Sequence, residues 1–110
     1  VTRRALLSDR ADDLARMIRG MDATLKWFAT APSLEIVDVV QSFFPDVPRD
    51  LFAACIDRYR TLGLWGPDPV IRREGYDRLH AAMRSSGILS RDIAFDDVVD
   101  TKLARHAIGA

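Results

Sequence analysis

The stretch LEIVDVV, residues 34–40, decides what kind of protein this chain makes. It is dense in β-branched side chains, whose stiff χ1 angles suit a pleated strand. Its apolar residues nonetheless continue at helical spacing through Ile36, Val39, Val40 and Phe43. One face of a helix repeats every three to four residues, whereas a half-buried strand alternates every second one. Pro32, just upstream, has no N–H to lose in the first turn of a helix. Spacing and start signal together outweigh the β-branching, so the stretch reads as a helix opened by Pro32.

The flanking sequence follows the same rule. Upstream, Leu14, Met17, Ile18, Met21, Leu25 and Phe28 form one apolar stripe. Asp9 stands ready to cap that helix, and Asp12 and Asp13 favour the positive end of its dipole. Trp27 lies off the stripe and is expected to pack on a second face. Downstream, Pro45 and Pro48 bracket a break, and Pro48 opens a helix with Leu51, Cys55, Ile56, Tyr59 and Leu62 as its apolar positions. Gly63 is placed to end it as a left-handed C′ residue. The loop Gly66-Pro67-Asp68-Pro69 is the strongest break in the chain. A fourth helix runs from about Arg73 to Ser86, with Tyr76, Leu79, His80 and Met83 on one side and Gly87 at its end. The tail reads as a short helix near Phe95 to Val99 and a last turn or two from Lys102 to Ala107. No segment alternates as a strand does. The sequence therefore predicts an all-α chain, four main helices plus a short helical tail, forming a single helical domain over residues 1–110.

Composition narrows the function classes. The 110 residues carry 16 basic and 16 acidic side chains, a formal net charge of zero. Nucleic-acid and anionic-membrane binders need a positive field, and this chain offers none overall. Arg3, Arg4, Arg10, Arg16 and Arg19 crowd the first helix, but Asp9, Asp12, Asp13 and Asp22 are interleaved, which reads as a self-neutralising solvated face. Cys55 has no second thiol to pair with and sits among apolar residues, as an inert core cysteine does. No apolar run reaches the length of a membrane span. The chain starts at Val1 without Met, as a processed product or an excised segment would.

The residues show little chemistry. His80 and His106 stand at no zinc-ligand spacing, and His80 on the apolar side of its helix reads as a satisfied, partly buried histidine. Asp96 and Asp97 sit where acids stabilise a helix N-terminus, with Asp100 close behind. There is no phosphate-cradling glycine loop and no nucleophile elbow. No residue is assigned a catalytic or metal-binding role, and no cofactor is implied.

The order of features says more. Read in sequence they are ATLKWFATAP (23–32), FP (44–45), YRTLGLW (59–65), EGYDRL (74–79) and FDDVVD (95–100). This series resembles the C-terminal region of the substrate-binding proteins of ABC importers for nitrate, sulfonate and taurine, a superfamily that also contains binders of thiamine pyrimidine precursors. Each motif is degenerate alone; five in order, from about Asp9 to Ala107, are more specific. Arg72-Arg73 departs from the Ser-Pro common in relatives before the Glu, and Ala94 from a Pro before the aromatic.

The resemblance implies a protein about three times longer, of the two-lobed α/β periplasmic-binding-protein type II fold. Such a protein is extracytoplasmic, often lipid-anchored, and closes on a small solute that it delivers to an ABC permease. This chain would be its helical C-terminal part, non-enzymatic, with the ligand contacts lying mostly elsewhere, so no ligand-binding residue is carried over. A free-standing helical interaction module is the alternative. Fungal thiamine-pyrimidine synthases resemble the same superfamily, but their reactive Lys and His would fall outside this stretch. On this reading Leu64 and Trp65 fold back on the helices. An uncovered apolar face, with Trp27 and the second helix as candidates, would then drive formation of a homo-oligomer.

Overall fold

A computed structural model describes residues 2–110 of the chain. It is helical, with α1 Leu6–Asp9, α2 Ala11–Thr30, α3 Ser33–Val40, a 3-10 turn Gln41–Phe43, α4 Arg49–Thr61, α5 Arg73–Ser85, α6 Phe95–Val98 and α7 Lys102–Ile108. No strand occurs among the described residues. The four main helices and the helical tail stand where the sequence puts them except at the start, where Asp9, expected as a cap, ends the additional helix α1 and α2 begins at Ala11; LEIVDVV lies wholly within α3. Among the described residues no helix is long and apolar enough to cross a membrane. Residue contacts divide the chain into two compact units, Gly20–Pro69 on one hand and Val1–Arg19 with Val70–Ala110 on the other.

In the unit Gly20–Pro69, α3 packs on α4. Ile36 and Val37 are the most buried side chains of the chain, at 1% and 0% exposure. Burying each is worth roughly 1.5–3 kcal/mol. Ala31, Ala53 and Ile56 complete this core, with Trp27, Phe28, Val40 and Phe52 packed against it. The face of α3 that turns inward is thus Ile36, Val37 and Val40. Val39 and Phe43, assigned to that face from their spacing, are exposed at 59% and 78%. The 3-10 turn that follows Val40 changes the rotation per residue, so the α-helical count no longer places Phe43.

The breaks between helices are held by specific side chains. Pro32 precedes α3 and Pro48 precedes α4, each as the flanking residue with an extended ψ rather than as part of the first turn. Through the FFPDV break, the Gln41 amide donates to the carbonyls of Phe44 and Val47, both at 2.9 Å. Asp38 of α3 accepts from Nε and Nη2 of Arg49 at the start of α4, at 3.1 and 2.5 Å. Gly63 ends α4 with φ +64°. There its N–H reaches the Arg60 carbonyl and the next N–H, of Leu64, reaches Tyr59. That pair of bonds is the Schellman closure, and only glycine takes the left-handed turn without strain.

In the other unit, α5 packs on α6. Phe95, the first residue of α6, is 8% exposed. The Tyr76 ring meets it edge-on with centroids 5.4 Å apart, and the Arg73 guanidinium lies 4.5 Å from its ring centroid. Arg73 also pairs with Asp96 at 2.9 Å. The absent Ser-Pro start of α5 is therefore replaced by an arginine that ties α5 to α6. Leu79, placed by periodicity on the packed side, is 60% exposed.

Of the arginines of the first helix region, Arg10 and Arg16 neutralise locally, as their interleaving suggests. Arg10 and Arg16 both pair with Asp13, at 2.5 and 3.1 Å. The hydrogen bond and charge of Arg10, with a smaller contribution from Arg16, hold the Asp13 carboxyl below its usual range. A depressed carboxylate adds stability above its unfolded-state pKa and gives it up as pH falls through the folded one. Asp13 is open to solvent, so that contribution is small.

Candidate functional site

Two concavities carry polar side chains. The larger lies in the unit Gly20–Pro69, about 640 Å³, where α2 ends and α3 begins over α4. Its floor is built by Arg60. On α4, Arg60 falls on the same side as Phe52, Ala53 and Ile56, the side that meets α3, so its long stem is carried inward with them. Its guanidinium donates to the carbonyls of Phe28 and Ala31, at the C-terminal end of α2, and at 3.5 Å to Ser33 Oγ. It also lies 5.4 Å from the Phe28 ring centroid. The last carbonyls of a helix have no intrahelical donor, and a planar cation with several N–H groups is suited to serve two at once.

Ser33 in turn donates to Asp57, whose carboxylate is 4.0 Å from Arg60. Asp50 lines the same hollow. No imidazole or amine is among its lining residues to take a proton from Ser33, and activating a serine requires such a base. The arrangement fixes the α2–α3 corner.

The second concavity, about 410 Å³, lies in the unit containing both ends of the chain. Asp12, Arg16 and Arg19 of α2 and Leu103 and His106 of α7 line it. Arg16 is already engaged by Asp13, and Asp12 adds a negative charge, so the groove is of mixed sign.

The residues weighed in the sequence are placed as follows. His80 is partly buried and stacks on Tyr76, with centroids 5.7 Å apart. Its Nε2 accepts the Ile93 N–H at 3.2 Å, while Tyr76 donates its hydroxyl to the Ile93 carbonyl at 2.7 Å. This is the satisfied histidine the pattern suggests; with Tyr76 it holds both backbone polar groups of Ile93. Asp96 is tied to Arg73, and Asp100 accepts the Lys102 N–H at 2.9 Å, capping α7. The three acids serve helix ends. No group of three or more His, Cys, Asp or Glu stands together as metal ligands among the described residues.

YRTLGLW resolves unevenly. Trp65 turns back and meets Phe28 and Tyr59 edge-on, with ring centroids at 4.3 and 5.7 Å. Leu64 does not follow it and is 59% exposed. Trp27 packs on the core, and its indole N–H donates to Glu35 at 2.9 Å. It is therefore not the uncovered surface that its off-stripe position suggested.

Arg60 was missed in the sequence. The available signal was an arginine one turn beyond Ile56, on the side of α4 that also carries Phe52 and Ala53. A cation there needs a buried acceptor, and the end of the preceding helix supplies two.

Comparison with known proteins yields one distant relative. Over 104 residues, 94% of its length, the chain is 21% identical to "Putative binding protein YtlA" of Bacillus subtilis. The match covers 31% of that protein, so the chain spans about a third of the length of the relative it matches. No family model matches the chain, and no solved structure matches it. The chain is thus similar, over nearly all of its residues, to part of a binding protein.

Proposed function

We propose that this chain is the helical C-terminal portion of an extracytoplasmic solute-binding protein serving an ABC importer. The cargo would be a small nutrient such as a sulfonate, nitrate, taurine or a thiamine pyrimidine precursor. The observation that carries the reading is the similarity to a binding protein over 94% of the chain, with only 31% of that protein matched.

The structure supports it in a second way. The motif residues behind the resemblance are the ones that join helices: Trp27 to Glu35, Trp65 to Phe28 and Tyr59, and Tyr76 to Phe95. A shared motif built of such joints describes a shared scaffold. In this reading the chain catalyses nothing. Its partners are the solute, held through the complete protein, and the permease.

The test is a thermal-shift screen of the product of the complete reading frame against sulfonates, nitrate, taurine and pyrimidines. A ligand present at a hundred times its Kd stabilises by about 2.7 kcal/mol, which corresponds to roughly 4 °C in a protein about three times the length of this chain. A shift on that scale with one class is expected. No shift with any of them would reject the proposed cargo.

A further inference from the structure

Between α5 and α6 the chain runs back along α5, and three side chains of that helix hold it there. Tyr76, His80 and Arg84 follow one another at i, i+4 and i+8, in a single row on the helix surface. Tyr76 donates its hydroxyl to the Ile93 carbonyl at 2.7 Å, and His80 Nε2 accepts the Ile93 N–H at 3.2 Å. Arg84 donates to the Leu89 carbonyl at 3.1 Å and pairs with Asp92 through Nε at 3.2 Å.

The three holds differ in one respect. Arginine and tyrosine side chains keep their protons through the physiological pH range, whereas histidine changes charge within it. A backbone N–H only donates, so the Nε2 facing Ile93 is the unprotonated nitrogen of a neutral ring. A proton arriving there removes the acceptor and sets two N–H groups against each other. A second acceptor is at hand, because Asp92 Oδ1 lies 4.0 Å from the same Nε2. The ring is enclosed by this arrangement, its side chain 18% exposed and stacked on Tyr76. Of the charged groups on the elements around it, Asp92 is the one within reach of the imidazole, with Arg84 behind it. Arg73 and Asp96, where α5 meets α6, are engaged with each other.

We propose that His80 is a proton-operated latch on residues 87–94. Neutral, it holds the segment by the Ile93 N–H; protonated, it lets that amide go and turns to Asp92, and the segment loosens from α5. Tyr76 and Arg84 keep their holds, so the opening is local and the helices stay folded. Losing one hydrogen bond and leaving a partly buried donor unpaired corresponds to about a tenfold rise in local opening or more. The inference rests on this segment and not on the receptor reading.

Hydrogen–deuterium exchange of the product of the complete reading frame, read by mass spectrometry and corrected for the intrinsic pH dependence of amide exchange, tests it. Peptides containing Ile93 are expected to exchange about tenfold faster or more at about pH 5 than at about pH 8, while those of α4 and α5 keep their rates. His80→Gln, whose amide oxygen accepts at either pH, should abolish the difference. His80→Phe keeps the stacking on Tyr76 without an acceptor, and should show the fast exchange at both pH values. Ile93 peptides of the parent that ignore pH overturn the proposal. So does a His80→Gln protein that retains the full dependence, since the titrating group is then a carboxylate or His106. A rise shared by α4 and α5 is acid unfolding of the whole and likewise overturns it.

Discussion

Phe95→Ala is expected to cost about 3–5 kcal/mol of folding stability. Phe95 is the most buried aromatic of its unit and has two dedicated neighbours, the Tyr76 ring edge and the Arg73 guanidinium. Truncation removes the transfer energy of the ring and leaves a void that those neighbours do not fill. Tyr76 is held in place by its hydrogen bond to the Ile93 carbonyl, and Arg73 by Asp96. The four-residue α6 has little packing of its own to compensate. A chain of this size has about 5–15 kcal/mol in total, so the variant should be near the limit of folding. Urea denaturation measures it. Phe95→Leu, which keeps most of the volume, should lose clearly less, and Tyr76→Phe about 1 kcal/mol for its single hydrogen bond. A Phe95→Ala midpoint close to that of the parent would show that α6 is not packed as described.

Arg60→Ala is expected to cost about 3 kcal/mol. The loss is not a surface charge but the donors of two helix-terminal carbonyls, those of Phe28 and Ala31, at a site where the arginine side chain is only 23% exposed. Leaving such acceptors unpaired carries a desolvation penalty that a new surface contact does not repay. Arg60→Lys separates the charge from the guanidinium's shape: both carbonyls accept from one nitrogen, Nη2, while Nη1 reaches Ser33 and the plane lies over Phe28, contacts that one ammonium does not make together. It should fall between parent and alanine variant. Asp57→Asn should cost little, since that carboxylate is 66% exposed. If lysine restores full stability, the charge and the two carbonyl bonds matter and the contacts to Ser33 and the Phe28 ring do not. If alanine costs under 1 kcal/mol, the corner is held by packing alone.

What could be read from the sequence, and what could not, divides along physical lines. Helix identity was legible even at LEIVDVV, because prolines and glycines act on the backbone locally and their effects do not depend on distant residues. Pro32, Pro48 and Gly63 stand at the boundaries they signalled. The face that each helix buries was less legible. On α4 the more hydrophobic stripe, Leu51–Cys55–Leu62, is the outer one, while the inner side includes Ala53 and Arg60. A count of apolar residues does not choose between them, since Phe52, Ala53 and Ile56 on the inner side match the outer three in number. Close approach of α3 instead selects a small residue, and the open carbonyls of α2 select an arginine. Phe43 fails for another reason, the change of helix type after Val40, while Val39 lies on the outer side of α3, away from Ile36, Val37 and Val40. Tyr76 and Phe95 were conspicuous as motif positions, but nothing local reveals that an aromatic at residue 76 meets one at residue 95. The hollow at Ser33, Asp57 and Arg60 joins the α2–α3 corner to α4, with Ser33 and Asp57 separated by 24 residues, and no spacing rule assembles it.

The central claim is that these helices are scaffold for a binding site completed elsewhere in a longer protein. Titration calorimetry of the best ligand from the thermal-shift screen, run in parallel on the complete protein and on residues 1–110, tests it most directly. The account predicts micromolar or tighter binding to the complete protein and no measurable heat with the 110-residue chain, because a pocket that buries most of a small ligand cannot be formed by the open hollows found here. Micromolar binding of that ligand to residues 1–110 alone would contradict it.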